Sequence, residues 1–156
     1  MIQLLIADDH AAVRQGLKLL FDLLDDVVVV AEAVDGDEAL QAVHRGGLDL
    51  ALIDLSMPGP SGVELIERIR AADASLPILV LSMHSEPQVV QRALAAGAHG
   101  YLVKGCDSEE LVETVRRLAM PLAQPAGAAR RYVEFPCSAG HASLPRAVPS
   151  SDNSKA

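Results

Sequence analysis

Residues 50–62 read Leu50-Ala-Leu-Ile-Asp54-Leu-Ser-Met-Pro-Gly-Pro-Ser-Gly62. An apolar run stops at a carboxylate, and a loop rich in Pro and Gly follows at once. The run begins at residue 48 and is apolar apart from Asp49, which suits a strand covered on both faces. After the loop, Ser61 and Glu64 form a capping box, and Ile66 and Ile69 continue a helical stripe. The stretch predicts strand, loop and helix, with an acid at the carboxyl end of the strand.

The same unit repeats on either side. Ile2–Ala7 is apolar and ends in Asp8 and Asp9, and Val13, Leu17, Leu20, Phe21 and Leu24 follow at helical spacing. Val27–Ala33 is a β-branched run. Asp35 and Glu38 then form a capping box ahead of Ala39, Leu40 and Val43, and Gly46 and Gly47 stop that helix. Toward the carboxyl end, residues 77–81 form a strand closing at Ser82. Ser85 is placed to cap the next helix, with Pro87 in its first turn and Gly97 at its end. Gly100–Val103 closes at Lys104, and Asp107 and Glu110 open a last helix that Pro121 limits. Five βα units of about 20–30 residues fit parallel strands joined by crossover helices. The expected fold is α/β, a doubly wound five-stranded parallel sheet in the flavodoxin-like order 2-1-3-4-5, which opens a crevice between strands 1 and 3.

Composition narrows the function. The chain has 156 residues, half of them hydrophobic, and a formal net charge of −8. Aromatic residues are 3%, so base-stacking platforms are nearly excluded, and the charge argues against direct DNA binding. No run approaches the ~18 uncharged apolar residues of a membrane span. Two cysteines, Cys106 and Cys137, make neither a disulfide framework nor a zinc spacing, which points to a reducing cytoplasm. The charge is uneven: residues 1–119 hold 9 Lys/Arg against 19 Asp/Glu, whereas residues 120–156 hold 4 against 2 and five of the nine prolines. This predicts a domain over residues 1–120 and a Pro-, Ala- and Ser-rich tail over 121–156 without a DNA-binding domain.

Under the order 2-1-3-4-5, Asp8, Asp9, Asp54, Ser82 and Lys104 converge at the carboxyl ends of the strands, where open sheets bind ligands. Three carboxylates in one crevice repel and raise each other's pKa. A hard divalent cation such as Mg²⁺ relieves this, taking one or two carboxylates and a phosphate oxygen. A carboxylate also attacks phosphorus, and phosphoryl transfer asks mainly for alignment and neutralised charge. Taken singly, each residue has a plainer reading. Asp8 and Asp9 cap a helix, Asp54 starts a turn, Ser82 bonds backbone, Lys104 is solvated and Tyr101 is packing. The weight lies in four strands each closing on a residue of the needed type.

These residues resemble the receiver domain of bacterial two-component response regulators, the CheY-like fold. The matching pieces are Asp8-Asp9, Asp54-Leu-Ser-Met-Pro-Gly59, Ser82 after Ile-Leu-Val-Leu, and Ala-Gly97-Ala-His-Gly-Tyr-Leu-Val-Lys104. The wording is most similar to the NarL/FixJ branch. The resemblance implies that Asp54 accepts a phosphoryl group from a sensor histidine kinase. It implies that Asp9 and Asp54 bind Mg²⁺, with Asp8 nearby and Ser56 offering its backbone carbonyl. Ser82 and Lys104 hold the phosphoryl oxygens, and Ser82 draws Tyr101 from an outward to an inward rotamer. The surface of helix 4, strand 5 and helix 5 then meets a downstream protein target or a second copy of the chain. Catalysis is limited to self-phosphorylation and dephosphorylation, so the chain is not expected to be an enzyme. Gly105 stands where the family often has proline after its lysine.

Other readings stay open at this stage. The chain is either a stand-alone receiver or a NarL/FixJ-type transcription regulator lacking its DNA-binding output, and the tail is either a natural extension or the scar of a truncation. A small Mg²⁺-dependent aspartyl phosphatase usually wants a second acid two residues after the nucleophile, where Ser56 stands. An FMN carrier wants a phosphate loop where Asp8 and Asp9 stand. His10 and His84 fall near the site by topology, with solvent-facing roles expected for both.

Overall fold

The computed structural model describes residues 1–60 and 62–119. The chain alternates β1 (Ile2–Ala7), α1 (Ala11–Asp22), β2 (Val27–Ala33), α2 (Gly36–Arg45) and β3 (Leu50–Ile53). It continues through α3 (Gly62–Ala72), β4 (Ile78–Ser82), α4 (Pro87–Ala96), β5 (Gly100–Val103) and α5 (Ser108–Ala119). All strand pairs are parallel, and the order is β2-β1-β3-β4-β5. The expected fold and strand order are both present. The Ser61 cap, the limit set by Pro121 and the tail over 121–156 lie outside the described residues.

The pleat sorts the core into two layers. Leu5, Ala7, Ala51, Ile53, Ile78 and Val80 point to one face and pack on α2, α3 and α4. Leu4, Ile6, Leu50, Leu52, Leu79 and Leu81 point to the other and pack on Phe21 of α1 and on Leu111, Val112 and Val115 of α5. Alternation along each central strand thus feeds both faces with aliphatic side chains, as a doubly covered sheet requires. The edge strand β2 departs from this. Val30 bulges out of the pairing between Leu4 and Leu5, and it is 47% exposed.

Local chemistry explains where boundaries differ from expectation. β3 starts at Leu50 because Asp49 is bound to Gln3: the Gln3 N–H donates to Asp49 Oδ2 at 2.8 Å and the Asp49 N–H to the Gln3 carbonyl at 2.7 Å. β4 starts at Ile78, since Pro77 has no N–H for the ladder and contributes its carbonyl to the Ala51 N–H. Ser85 does not cap α4. The residue before a proline is held out of the helical region, so Glu86 is the N-cap, extended and without a side-chain bond, and Pro87 is the first helical residue. In α2 the Asp35 carboxylate accepts from the Glu38 N–H at 2.8 Å, while Glu38 reaches back to the Val34 N–H at 3.0 Å.

Candidate functional site

Three of the four ladders continue one backbone bond past the strand ends, toward the site. The Asp54 N–H donates to the Ala7 carbonyl at 2.9 Å, setting β3's terminal acid against the end of β1. The Asp8 N–H donates to the Ala33 carbonyl at 3.0 Å, and the Lys104 N–H to the Ser82 carbonyl at 2.7 Å. These bonds tie the ends of β1, β2 and β3 together and the end of β4 to β5, the β3–β4 ladder joins the two groups, and the residues at the strand ends meet in one crevice.

Asp8 and Asp54 are each 2% exposed. Lys104 lies between them, with Nζ 2.9 Å from Asp8 Oδ2 and 3.3 Å from Asp54 Oδ2. Asp8 Oδ1 faces the other way, accepting the His10 N–H at 2.9 Å. Asp8 does not cap α1, nor does Asp9, because His10 occupies the N-cap position without a side-chain bond to the helix. Asp54 Oδ1 accepts the Ser56 N–H at 3.3 Å, which keeps the turn expected there. Asp54 Oδ2 is buried and has no hydrogen-bond partner among the described residues.

The acids are electrostatically unequal. Burial tends to raise Asp8, but the Lys104 hydrogen bond and the His10 N–H outweigh it and hold the carboxyl below its ordinary range. Asp54 goes the other way: burial and the Asp8 charge push it up against the pull of Lys104. Burial works against the Lys104 ammonium, yet Asp8 and Asp54 together raise it. Lys104 thus offsets part of the charge of two buried carboxylates and leaves Asp54 short of neutralising contacts.

Ser82 and Tyr101, the pair expected to act as a switch, sit one layer over. Ser82 is fully buried, and its Oγ accepts the His84 N–H at 3.1 Å. Tyr101 is 1% exposed, and its hydroxyl donates to the His84 carbonyl at 2.7 Å. The ring is therefore already inward. Burial raises its phenol, with the Ser82 hydroxyl opposing.

Two further residues join the site: His10, placed near it by topology with a solvent-facing role expected, and Arg14, which the sequence pattern does not single out. His10 Nδ1 lies 3.1 Å from Asp8 Oδ1 and 3.2 Å from Asp9 Oδ1, so His10 is part of the acidic cluster even though its side chain is 61% exposed. Arg14 donates from Nη1 to the Asp8 carbonyl at 2.8 Å and pairs with Glu32. Its signal in the sequence is its place at the start of the first helix, one turn after His10. His84, by contrast, contributes through its backbone, which no side-chain pattern reveals.

The residues present fit a cation. Asp8, Asp9, His10 and Asp54 offer donor atoms all within 4.8 Å of one another, and Asp54 Oδ2 is a buried acceptor without a hydrogen bond among the described residues, its ammonium neighbour Lys104 shared with Asp8. No helix among the described residues is long and apolar enough to cross a membrane.

Comparison with known proteins agrees with this geometry. The response regulator receiver domain family matches residues 4–116. The transcriptional regulatory protein UhpA of Salmonella typhimurium is 40% identical over 119 residues, covering 76% of this chain and 59% of that protein. The nitrate/nitrite response regulator protein NarL of Escherichia coli is 35% identical, covering 74% and 54%. The chain spans about half the length of the curated relatives it matches. Among solved structures, the receiver domain of the putative response regulator NarL from Mycobacterium tuberculosis superposes with a TM-score of 0.72 at 35% identity, covering 76% of this chain and 95% of that one. A LuxR-family two-component response regulator from Aurantimonas gives 0.73 at 33%, covering 85% and 88%.

Proposed function

The chain belongs to the response regulator receiver domain family, and from that premise we propose that it accepts a phosphoryl group on Asp54 from a sensor histidine kinase. The observation that carries this reading is Asp54 Oδ2: a buried carboxylate oxygen with no hydrogen-bond partner among the described residues, 3.3 Å from an ammonium, at the mouth of a parallel sheet. In the transfer, an Asp54 oxygen forms a bond to phosphorus as the N–P bond of a phosphohistidine breaks. The leaving imidazole keeps the bonding pair and takes up a proton.

Asp9, Asp54 and the Ser56 carbonyl hold Mg²⁺ in this reading, with Asp8 beside them. Bound Mg²⁺ neutralises charge on the phosphoryl oxygens. Lys104 does the same from the opposite side, turning from the Asp54 carboxylate to the phosphoryl group that replaces its charge. The Ser82 hydroxyl, released from the His84 N–H, donates to another phosphoryl oxygen. That movement acts on the Tyr101–His84 bond, because His84 holds both Ser82 Oγ and the Tyr101 hydroxyl. The surface of α4, β5 and α5 carries the change to a protein target or to a second copy, as a population shift between two packings.

The chain so read is cytoplasmic, acts by protein contact and turns over no external substrate. The names of its relatives favour one further reading, that this is the receiver portion of a NarL/FixJ-type transcription regulator. An aspartyl phosphatase is disfavoured by the family match and by Ser56 standing two residues after Asp54. The test is transfer of label from a phosphorylated histidine kinase. Radioactive phosphate moves to the chain, and hydroxylamine strips it as it does an acyl phosphate. Transfer that persists in Asp54→Ala overturns the assignment.

A further inference from the structure

The cation reading above uses oxygen ligands alone, yet the side chain beside them is an imidazole. His10 Nδ1 approaches Asp8 Oδ1 at 3.1 Å and Asp9 Oδ1 at 3.2 Å. Donor atoms of Asp8, Asp9, His10 and Asp54 lie within 4.8 Å of one another. Opposite ligands of a small divalent ion bound at about 2.1 Å stand about 4.2 Å apart, so these four need close by only roughly half an ångström. The cluster does not rest on acidity alone. Asp54 Oδ2, a carboxylate oxygen of the crevice, is buried and lacks a hydrogen-bond partner among the described residues, with the Lys104 ammonium 3.3 Å away and shared with Asp8.

The local backbone places the imidazole there. His10 is the N-cap of α1, and its side chain makes no capping bond, so the helix does not use it. Its N–H is tied to Asp8 Oδ1 at 2.9 Å, which fixes the main chain next to the acids. The ring is 61% exposed, and its close polar neighbours are the two carboxylates. It is free to turn Nδ1 onto an ion held by them.

We infer that His10 is a ligand of this site, and that the site prefers divalent transition ions that accept imidazole over Mg²⁺. The inference rests on the cation reading and deepens it. Mg²⁺ is bound by oxygen and keeps its waters, so an imidazole adds little to its affinity. Ni²⁺ and Zn²⁺ take imidazole readily and bind mixed nitrogen and oxygen sites more tightly than hard ions do. The plainer role for His10 is a hydrogen-bond donor bridging Asp8 and Asp9, which any entering ion displaces. The two roles differ in sign. A ligand lost weakens Ni²⁺ selectively, whereas a bridging donor lost strengthens every ion alike.

Titration calorimetry of the full, untagged chain with MgCl₂ and NiCl₂ separates them, using wild type, His10→Ala, His10→Gln and Asp9→Asn. Circular dichroism checks that each variant is folded. The expected result is one Ni²⁺ site that Asp9→Asn abolishes, weakened at least tenfold by His10→Ala and not restored by His10→Gln, with Mg²⁺ affinity changed less than threefold. Equal changes for both ions, or none, overturn the role of His10 and leave the cation reading standing. Failure of Mg²⁺ to bind wild type, or binding indifferent to Asp9→Asn, overturns the cation reading itself.

Discussion

Lys104 Nζ stands 3.3 Å from Asp54 Oδ2 without hydrogen-bonding it, while 2.9 Å from Asp8 Oδ2 it makes a close pair. One ammonium serves two buried carboxylates and favours Asp8. Asp54, the proposed acceptor, is left with burial and a like charge pushing its carboxyl up. In divalent-free buffer at pH 7, Asp54→Asn therefore stabilises the fold, because it removes a charge the crevice holds at a cost. Urea denaturation reads this as a higher midpoint at unchanged slope, and a lower midpoint contradicts it.

Removing the ammonium has the opposite sign. Lys104→Met leaves Asp8 and Asp54 buried without a counter-charge, at a cost of about 3–5 kcal/mol in the same buffer. The double variant Lys104→Met/Asp54→Asn recovers part of that loss. Additive effects in this cycle count against a shared electrostatic network.

Gly36 shapes the site loop from a distance. A Cβ there would stand 1.9 Å from the Pro60 carbonyl oxygen, and the Gly36 N–H donates to the Pro58 carbonyl at 3.3 Å. The loop bearing Ser56 thus rests on the bare start of α2. Gly36→Ala pushes the loop off, costs about 1–3 kcal/mol by overpacking, and slows phosphorylation of Asp54 by a small-molecule donor. Stability and rate unchanged from wild type show that the loop does not depend on this contact.

His99 gives the fold an acid-sensitive seam away from the site. Its Nδ1 accepts the Ile78 N–H at 3.2 Å, and burial first, then the Arg70 charge, hold its pKa below the ordinary 6.5. Folded His99 refuses a proton that the unfolded chain accepts. Stability from this group is complete above pH 6.5 and is lost as the pH falls from there through the lowered value. Urea midpoints between pH 7.5 and 5 fall in wild type, and the fall is shallower in His99→Asn. Parallel curves contradict the assignment.

Much of this was legible in the chain because each unit punctuates itself. Apolar strands end on Asp8, Asp54, Ser82 and Lys104, and with a parallel order those ends converge. What escaped reading depends on neighbours distant in sequence. Asp49 shortens β3 by binding Gln3, and Val30 leaves the ladder because β2 is an edge. Pro87 moved the cap of α4 from Ser85 to Glu86, a local effect that the sequence contained. Strand topology puts His10 near the site with a solvent-facing role, and its ring is indeed 61% exposed, but only the turn at Asp8 brings Nδ1 to the acids. The inward Tyr101 follows from a bond to the His84 main chain, which carries no side-chain signature.

The most direct test is intact-mass spectrometry after incubation with acetyl phosphate, with and without Mg²⁺, on wild type and Asp54→Asn. A single adduct of ~80 Da that requires Mg²⁺ and is absent in the variant is the expected result, as one acyl phosphate on one carboxylate demands. An unmodified wild type under every condition, or an adduct that survives Asp54→Asn, contradicts it.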